Sequence, residues 1–179
     1  MKTFEFGQAE GQIMQMAYVV EDLEASIEWW SKEARTGPWF VIDHFLAPDQ
    51  NYRGKPSTAD VRIAMSFAGH MNIELIQPLD SKPSVYKELI DTRGYGFHHV
   101  GIAFVDMAAA IAEYESRGYT LAYDAAVPTG GSVAYMDDGR NEPGFVELLP
   151  VTDGMESTFT RMWRQCNGWD GIDPIRPFA

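Results

Sequence analysis

The order of hydrophobic and polar positions repeats once along this chain. The segment 15–30 lies over the segment 99–114 without a gap, so every residue number in the second copy is 84 higher. Each copy runs from a short apolar stretch, through an aspartate, into residues spaced as on one face of a helix. Because an internal repeat sets the architecture of a chain, we predict two related structural units.

The first copy predicts a strand, a capped helix and three further strands. Residues 13–20 are apolar and bounded by Gly11 and Asp22, which is typical of a short strand. The Asp22 carboxylate can accept hydrogen bonds from the free N–H groups of the next helix. That helix is expected to end before Gly37-Pro38. A polar loop is predicted over 47–58, and the remaining strands over 39–46, 60–67 and 72–77.

The second copy predicts the same order. A strand is expected at 98–105, then a helix from Asp106 to 117 that Gly118 ends, and strands near 121, at 132–136 and at 145–149. A connecting helix or turn is predicted over 83–93, and a short helix over 158–164. The chain is therefore an α+β protein with one βαβββ module at 12–80, another at 96–150, and a C-terminal extension at 151–179.

Composition narrows the class of protein. The 179 residues are 45% hydrophobic and 13% aromatic, which is typical of a globular fold. The net charge of -12 and pI near 4.6 argue against binding to nucleic acid or to an anionic membrane. No apolar run reaches the roughly 18 residues needed to span a bilayer. The single cysteine, Cys166, can form no internal disulfide, so we expect a cytoplasmic protein.

Four polar side chains interrupt the apolar strands at matched places in the two copies: Gln15, Glu74, His99 and Glu147. Successive strand residues point to opposite faces, and seven of the eight flanking residues are apolar. A buried carboxylate is costly unless it is paired or bound to a metal. The alternative is that these are ordinary half-exposed strand residues, which we would prefer for one isolated glutamate. Their repetition in both copies favours a metal site.

The chemistry of these four side chains agrees with a divalent cation. Two carboxylates balance its charge, and neutral glutamine and histidine complete four positions. An octahedral ion would keep two positions for water or substrate oxygens. Three oxygens and one nitrogen suit Zn, Co, Ni, Mn or Mg, among which the sequence does not choose. The set fits poorly with the two-histidine, one-carboxylate triad of iron oxygenases, because Gln15 stands where a histidine would be needed.

With these residues the chain resembles the vicinal oxygen chelate superfamily, which includes glyoxalase I, methylmalonyl-CoA epimerase, extradiol dioxygenases and bleomycin-resistance proteins. The segments that carry the resemblance are Gln15-Met-Ala-Tyr with Asp22-Leu, Ile73-Glu74-Leu-Ile-Gln-Pro78, Gly96-Phe-His-His99-Val-Gly-Ile, and Phe145-Val-Glu147-Leu. The resemblance implies paired βαβββ modules that form a curved mixed sheet around a metal cleft. It also implies that the metal ligands are Gln15, Glu74, His99 and Glu147.

The resemblance points to a function as well. This ligand set resembles that of glyoxalases, whereas the sequence that flanks the ligands is more similar to the epimerases. We expect a metal-dependent isomerase or lyase that moves a proton alpha to a carbonyl or thioester, with Glu147 and Glu74 as the acid/base groups that the glyoxalases imply. An epimerase-like enzyme is slightly preferred. The alternatives are a glyoxalase I-like lactoylglutathione lyase and a metal-free protein that sequesters a small molecule.

Several further residues are candidates for contacts with a small-molecule carbonyl substrate. If the apolar residues of the 60–67 strand pack against helices, Arg62 points into the cleft and could clamp an anionic group. It could equally be a solvent-facing strand arginine. Trp39 and Tyr135 are expected to line the cleft, whereas His98 should face away from His99. A homodimer is also expected.

Overall fold

The computed structural model describes residues 2–140 and 144–178. These residues form one mixed sheet of eleven strands and four α-helices, which confirms the predicted α+β class. The strands are β1 Ile13–Val19, β2 Trp39–Phe45, β3 Asn51–Tyr52, β4 Lys55–Pro56, β5 Val61–Ala68, β6 Met71–Pro78, β7 Gly96–Phe104, β8 Thr120–Ala126, β9 Ser132–Asp137, β10 Phe145–Pro150 and β11 Ile175–Pro177. The helices are α1 Leu23–Lys32, α2 Val85–Arg93, α3 Met107–Ser116 and α4 Asp153–Cys166.

The strand order of the sheet is β11-β2-β5-β6-β1-β7-β10-β9-β8-β3-β4. Strands β1, β2, β5 and β6 of the segment 12–80 are adjacent to one another, whereas β3 and β4 of that segment lie at the far edge, beside β8. Strand β1 pairs in parallel with β6, and β7 pairs in parallel with β10, so each module joins its first and last strands. The antiparallel pair of β1 and β7 then connects the modules at the centre of the sheet. The strands that carry the four candidate ligands thus come from one chain.

Both repeat helices begin as the sequence predicts. Asp22 Oδ1 accepts a hydrogen bond of 2.9 Å from the Ala25 backbone N–H, and Asp106 Oδ1 accepts one of 3.0 Å from that of Ala109. Each cap satisfies a backbone donor that the first helical turn leaves free. Within the ranges 2–140 and 144–178, none of the helices combines the length and the apolar character that crossing a membrane requires.

The helices divide between the two faces of the sheet. Helix α1 packs on one face, where Leu23 and Ile27 are buried with Leu75. Helix α3 packs on the same side of the second module, against Leu148 and its neighbours. The opposite face carries the largest apolar cluster, and α4 covers it with Met155, Phe159 and Met162. The C-terminal extension therefore covers this second face, which we call the inner face of the sheet.

Three local features differ from the sequence prediction. Helix α4 begins directly after its Thr152 cap and is longer than the predicted 158–164 helix. The predicted polar loop 47–58 contains a small hairpin formed by β3 and β4, and β3 also pairs with β8. The polar residues of this segment gave no strand pattern from which the hairpin could be predicted. Strand β11 is also unpredicted, because its three residues gain their partner only from β2.

Candidate metal centre

The four candidate ligands lie on four adjacent central strands, β6, β1, β7 and β10. In one row across the sheet, Ala17 pairs with Glu74 on one side and with His99 on the other. Adjacent strands are about 4.8 Å apart, so this row places the two polar side chains about 10 Å apart at their backbones, with a small methyl group between them. The side chains can then lean toward each other over Ala17.

The neighbouring row has the same plan. Gly101 pairs with Gln15 on one side and with Glu147 on the other. A methyl group placed on Gly101 would lie 2.6 Å from Gln15 Oε1 and 2.8 Å from Leu149 Cδ1, closer than real contacts allow. The absence of a side chain at Gly101 therefore makes room for the amide of Gln15. In the sequence repeat Gly101 corresponds to Ala17, so both rows have a small residue at their centre.

All four side chains of this four-ligand cluster are buried: Gln15, Glu74, His99 and Glu147. His99 Nε2 lies 3.1 Å from Glu147 Oε2 and 3.4 Å from Glu74 Oε2. One ligand atom from each of these three residues lies within 4.8 Å of the others. The 3.1 and 3.4 Å distances suit a common cation, because bonds of about 2.0–2.2 Å separate two ligand atoms by at most about 4.4 Å.

The cluster also leaves its polar atoms without hydrogen bonds. Gln15 Oε1, Glu74 Oε2, His99 Nε2 and Glu147 Oε2 are all buried, and none has an aligned hydrogen-bond partner among the described residues. Most buried polar groups in proteins are satisfied, so four unsatisfied atoms in one place need an explanation. A divalent cation supplies it, since a single ion could bind all four and balance two carboxylates. The residues present therefore fit a metal.

His98 lies beside His99, which corrects the expectation that the two face opposite ways. Ala17 pairs with His99 and Tyr18 pairs with Phe97, so His98 is an extra residue on β7. Such a β-bulge breaks the alternation of faces. The Nδ1 atoms of the two histidines are 2.8 Å apart as a result.

The hydrogen bonds of His98 fix the tautomer of His99. His98 Nε2 lies 3.3 Å from the Val85 carbonyl oxygen, which can only accept, so this nitrogen carries the proton. Burial, together with nearby His99, holds the pKa of His98 well below its ordinary value, and the ring is neutral. His98 Nδ1 therefore accepts a hydrogen bond from His99 Nδ1. His99 Nε2 is left as the nitrogen that faces Glu74 and Glu147, in the orientation a metal ligand requires.

Without a metal, the stability of the protein should fall as pH rises. Burial lowers the pKa of His99, but the charge of Glu147 and then Glu74 reverses this and raises it to about 9. A raised histidine pKa stabilises the fold fully below the unfolded value of 6.5, and this contribution is lost as pH rises through about 9. We expect the Tm of chelator-treated protein to decrease across this interval. Tm should depend less on pH in a metal-loaded sample and in metal-free His99→Asn. If Tm of the metal-free native protein depends equally little on pH, the ion pairs of His99 with Glu74 and Glu147 are contradicted.

Gly101→Ala should weaken metal binding through Gln15. The added methyl group would meet Gln15 Oε1 at 2.6 Å and displace it. Changes that misplace a ligand typically cost about 10–100-fold in metal affinity, and we expect a loss of this size by metal titration. In a Gln15→Ala background the same substitution should have little further effect, because the displaced amide is already absent. Equal losses in both backgrounds would assign the effect to Leu149 or to the backbone instead.

A cavity opens beside the four-ligand cluster on the inner face of the sheet. This central cavity is bordered by Gln15, Glu74 and Glu147, and by the buried ring of Tyr135. The Tyr135 ring lies over His99, with 4.8 Å between their centroids. A substrate in the central cavity would therefore contact both the cluster and this ring.

Arg62 and Trp39, two candidates for substrate contacts, do not border the central cavity. Arg62 lies on the α1 face, where its guanidinium donates to Glu24 Oε1 at 2.6 Å and to Asp43 Oδ1 at 3.1 Å. Trp39 is fully buried against α1, and its indole N–H donates to the Thr36 carbonyl at 3.0 Å. The reason is that Ile63, not Arg62, faces the central cavity from β5.

Sequence reasoning missed several residues that border the central cavity. Tyr86 of α2 and Tyr123 of β8 lie on its wall, and Met155, Phe159 and Phe178 reach it from the C-terminal extension. The periodicity of α4 indicates one apolar face, but no local pattern says which part of the sheet that face covers. The small residues Ala17 and Gly101 could have been found, because the repeat places them at corresponding positions between the ligands.

Comparison with known proteins agrees with this architecture. Residues 14–135 match the Glyoxalase/Bleomycin resistance protein/Dioxygenase superfamily. A methylmalonyl-CoA epimerase from Mycobacterium tuberculosis has a similar structure, with 19% identity, a TM-score of 0.59, and coverage of 81% of this chain and 91% of that chain. A hypothetical protein from Bacillus halodurans C-125 gives 19% identity, a TM-score of 0.60, and coverage of 79% and 95%.

A third similar structure is a methylmalonyl-CoA epimerase in complex with methylmalonyl-CoA and NH4+. It has 18% identity and a TM-score of 0.60, and the match covers 81% of this chain and 97% of that chain. At these identities the likeness extends to the fold alone. No curated protein matches the sequence.

Proposed function

Because the chain belongs to the Glyoxalase/Bleomycin resistance protein/Dioxygenase superfamily, we propose that it is a metal-dependent isomerase or lyase that moves a proton alpha to a carbonyl. The observation that carries the proposal is the four-ligand cluster, whose buried oxygen and nitrogen atoms lack hydrogen bonds. The central cavity beside it gives a carbonyl compound a place next to these atoms. A reacting group and its acid/base partners would thus share one water-poor site.

All four residues of the cluster would hold the cation in this proposal, and the two glutamates would also move the proton. The cation, held by Gln15, Glu74, His99 and Glu147, would polarise the substrate carbonyl and so acidify the adjacent C–H bond. A carboxylate oxygen of Glu147 or Glu74 accepts this proton and returns it to carbon. Glu74 and Glu147 approach from opposite sides of the cluster, on β6 and β10. Proton removal and return on two faces of the substrate would give an epimerase-like outcome.

The electrostatics of Glu74 suit this acid/base role. Burial raises the pKa of its carboxyl group, and the nearby negative charge of Glu147 adds to the effect, whereas His99 opposes both. This direction applies to Glu74 when it is detached from the cation, and a carboxylate with a raised pKa is then a stronger base that holds an abstracted proton more readily. Among the described residues that border the central cavity, Glu74 and Glu147 are the carboxylates available for this step.

A glyoxalase I-like lactoylglutathione lyase is the second candidate. The ligand types favour it, since glutamine, glutamate, histidine and glutamate together resemble the glyoxalase set. The same proton transfer next to a carbonyl would serve that reaction, so the two candidates share the cluster and differ in substrate. A metal-free sequestering protein receives no support from the cluster, because buried carboxylates are costly without a partner.

Two measurements test the proposal. Metal analysis of protein purified without chelator should give about one divalent ion per chain. In heavy water, the metal-loaded protein should then catalyse deuterium incorporation alpha to the carbonyl of keto acids, thioesters or ketones, followed by NMR. The chelated protein is the control. A stoichiometric metal without exchange in any carbonyl compound would contradict proton transfer, and the absence of metal would favour the sequestering alternative.

A further inference from the structure

The walls of the central cavity are apolar. Away from the four-ligand cluster, the cavity is bordered by Ile63, Met65 and Leu149 from the sheet, and by Met155, Phe159 and Phe178 from the C-terminal extension. The tyrosine rings of the wall add flat, weakly polar surface. Apolar walls with a few polar groups at one end are typical of a site for a small organic molecule held by its polar end.

Among the described residues, the charged side chains that border the central cavity are Glu74 and Glu147. No lysine or arginine borders the central cavity among the residues that the structure describes. Arg161 of α4 donates its guanidinium N–H to the Phe178 carbonyl, and it lies over the Phe40 ring at 5.4 Å. A phosphate or carboxylate group placed against the walls, away from the cation, would thus be buried without a counterion.

The C-terminal extension closes the cavity. The Phe178 backbone N–H donates to the Val41 carbonyl at 3.1 Å, and β11 pairs with β2 just before it. Thr152 Oγ1 donates to the Thr129 carbonyl at 2.6 Å and so fastens the start of α4 to the opposite wall. Helix α4 and Phe178, which form this cover, lie beyond the 14–135 match.

The space beside the four-ligand cluster is small. The central cavity has a volume of about 50 Å³, room for about four ordered waters. The nucleotide arm of a coenzyme A thioester, or the two carboxylates of glutathione, would not fit within this volume and would find no lysine or arginine among the described residues of its walls. An uncharged compound with a few carbon atoms beyond its carbonyl would fit in the central cavity after small movements of the surrounding side chains.

We infer that the site takes a compact, uncharged carbonyl compound with an apolar body, and that Phe178 and α4 select against anionic conjugates. This inference rests on the proposed metal-dependent function. It follows from apolar walls, missing counterions and a cover that is hydrogen-bonded at both ends. The thioester and glutathione substrates considered from the sequence are therefore disfavoured, and a small ketone or aldehyde is the expected class.

Hydroxamic acids provide matched probes, since they chelate a divalent ion through two oxygens and are largely neutral at pH 7. Calorimetry of the metal-loaded full chain would compare acetohydroxamic, benzohydroxamic and 4-carboxybenzohydroxamic acids. The phenyl group should tighten binding about 30-fold, as burial of an apolar ring does. The added carboxylate should then weaken it by about tenfold or more. The inference is overturned if benzohydroxamic acid binds no more tightly than acetohydroxamic acid. It is also overturned if 4-carboxybenzohydroxamic acid binds as tightly as benzohydroxamic acid.

Two variants and one competitor sharpen the test. Phe178→Arg places a cation at the cover and should reverse the preference, so that the carboxylated probe binds more tightly than benzohydroxamic acid, whereas Phe178→Ala should not reverse it. Displacement of benzohydroxamic acid by propionyl-CoA at comparable concentration would also overturn the inference. If acetohydroxamic acid fails to bind in a metal-dependent manner, the proposed function fails. If it binds but the phenyl group adds nothing, only the substrate class fails.

Discussion

Glu147→Gln is expected to remove the divalent ion from the purified protein and to abolish proton exchange. The substitution keeps the shape of the side chain but removes one of two charges that balance the cation. Changes outside the direct ligands already cost about 10–100-fold in metal affinity, so a loss above about 100-fold is expected here. Exchange should fall by at least the 10²–10⁴-fold that an acid/base group contributes. Metal analysis and deuterium NMR measure the two effects.

Glu115→Gln is the matched control for this variant. It makes the same chemical change at an exposed position of α3, which packs on the face of the sheet opposite the central cavity. Metal content and exchange should match the native protein. Retention of a full metal equivalent with lost exchange in Glu147→Gln would make Glu147 a base that the cation does not need. If Glu147→Gln keeps both its metal and its proton exchange, Glu147 has no role in the site.

Trp39→Ala should destabilise the protein by about 3–5 kcal/mol, the usual cost of truncating a large buried aromatic side chain. Its ring is fully buried against α1, with the Trp30 ring at 6.3 Å, and its N–H is satisfied by the Thr36 carbonyl. Removing it leaves a cavity in the outer layer, away from the central cavity. Urea unfolding followed by circular dichroism measures the change.

Trp29→Ala provides the comparison on the same helix layer. Trp29 is 57% exposed, so its loss should change the free energy of unfolding by no more than about 0.5 kcal/mol. The folded fraction of Trp39→Ala should bind metal and benzohydroxamic acid as the native protein does. A selective loss of probe binding without lost stability would return Trp39 to the substrate site and contradict its position against α1.

The repeated pattern of the chain determines most of the fold. Matching apolar strands, each followed by an aspartate cap and a helix, predict both modules, because a short-range period and a cap need no tertiary partner. The types of the four polar residues also point to a metal before any contact is known. Their chemistry is a property of the side chains, and the repeat places them at corresponding strands.

The orientation of Arg62 is an example of what the pattern of apolar and polar residues does not determine. Alternation along β5 separates Arg62 from Ile63, but it does not say which set faces the helices. Both faces of this sheet are covered, one by α1 and the other by α4, so apolar residues are needed on both. The Arg62 side chain finds Glu24 and Asp43 at the edge of α1, and that ion pair exists only in the folded chain.

The sequence by itself thus determined the repeated modules, the capped helices and the chemical types of the cluster, because these depend on neighbouring residues and side-chain chemistry. Tertiary structure decided the bulge that brings His98 to His99, since an extra residue is defined only against a partner strand. It also decided that α4 and Phe178 close the central cavity. Contacts between residues more than a hundred positions apart depend on the path of the whole chain, which no local period encodes.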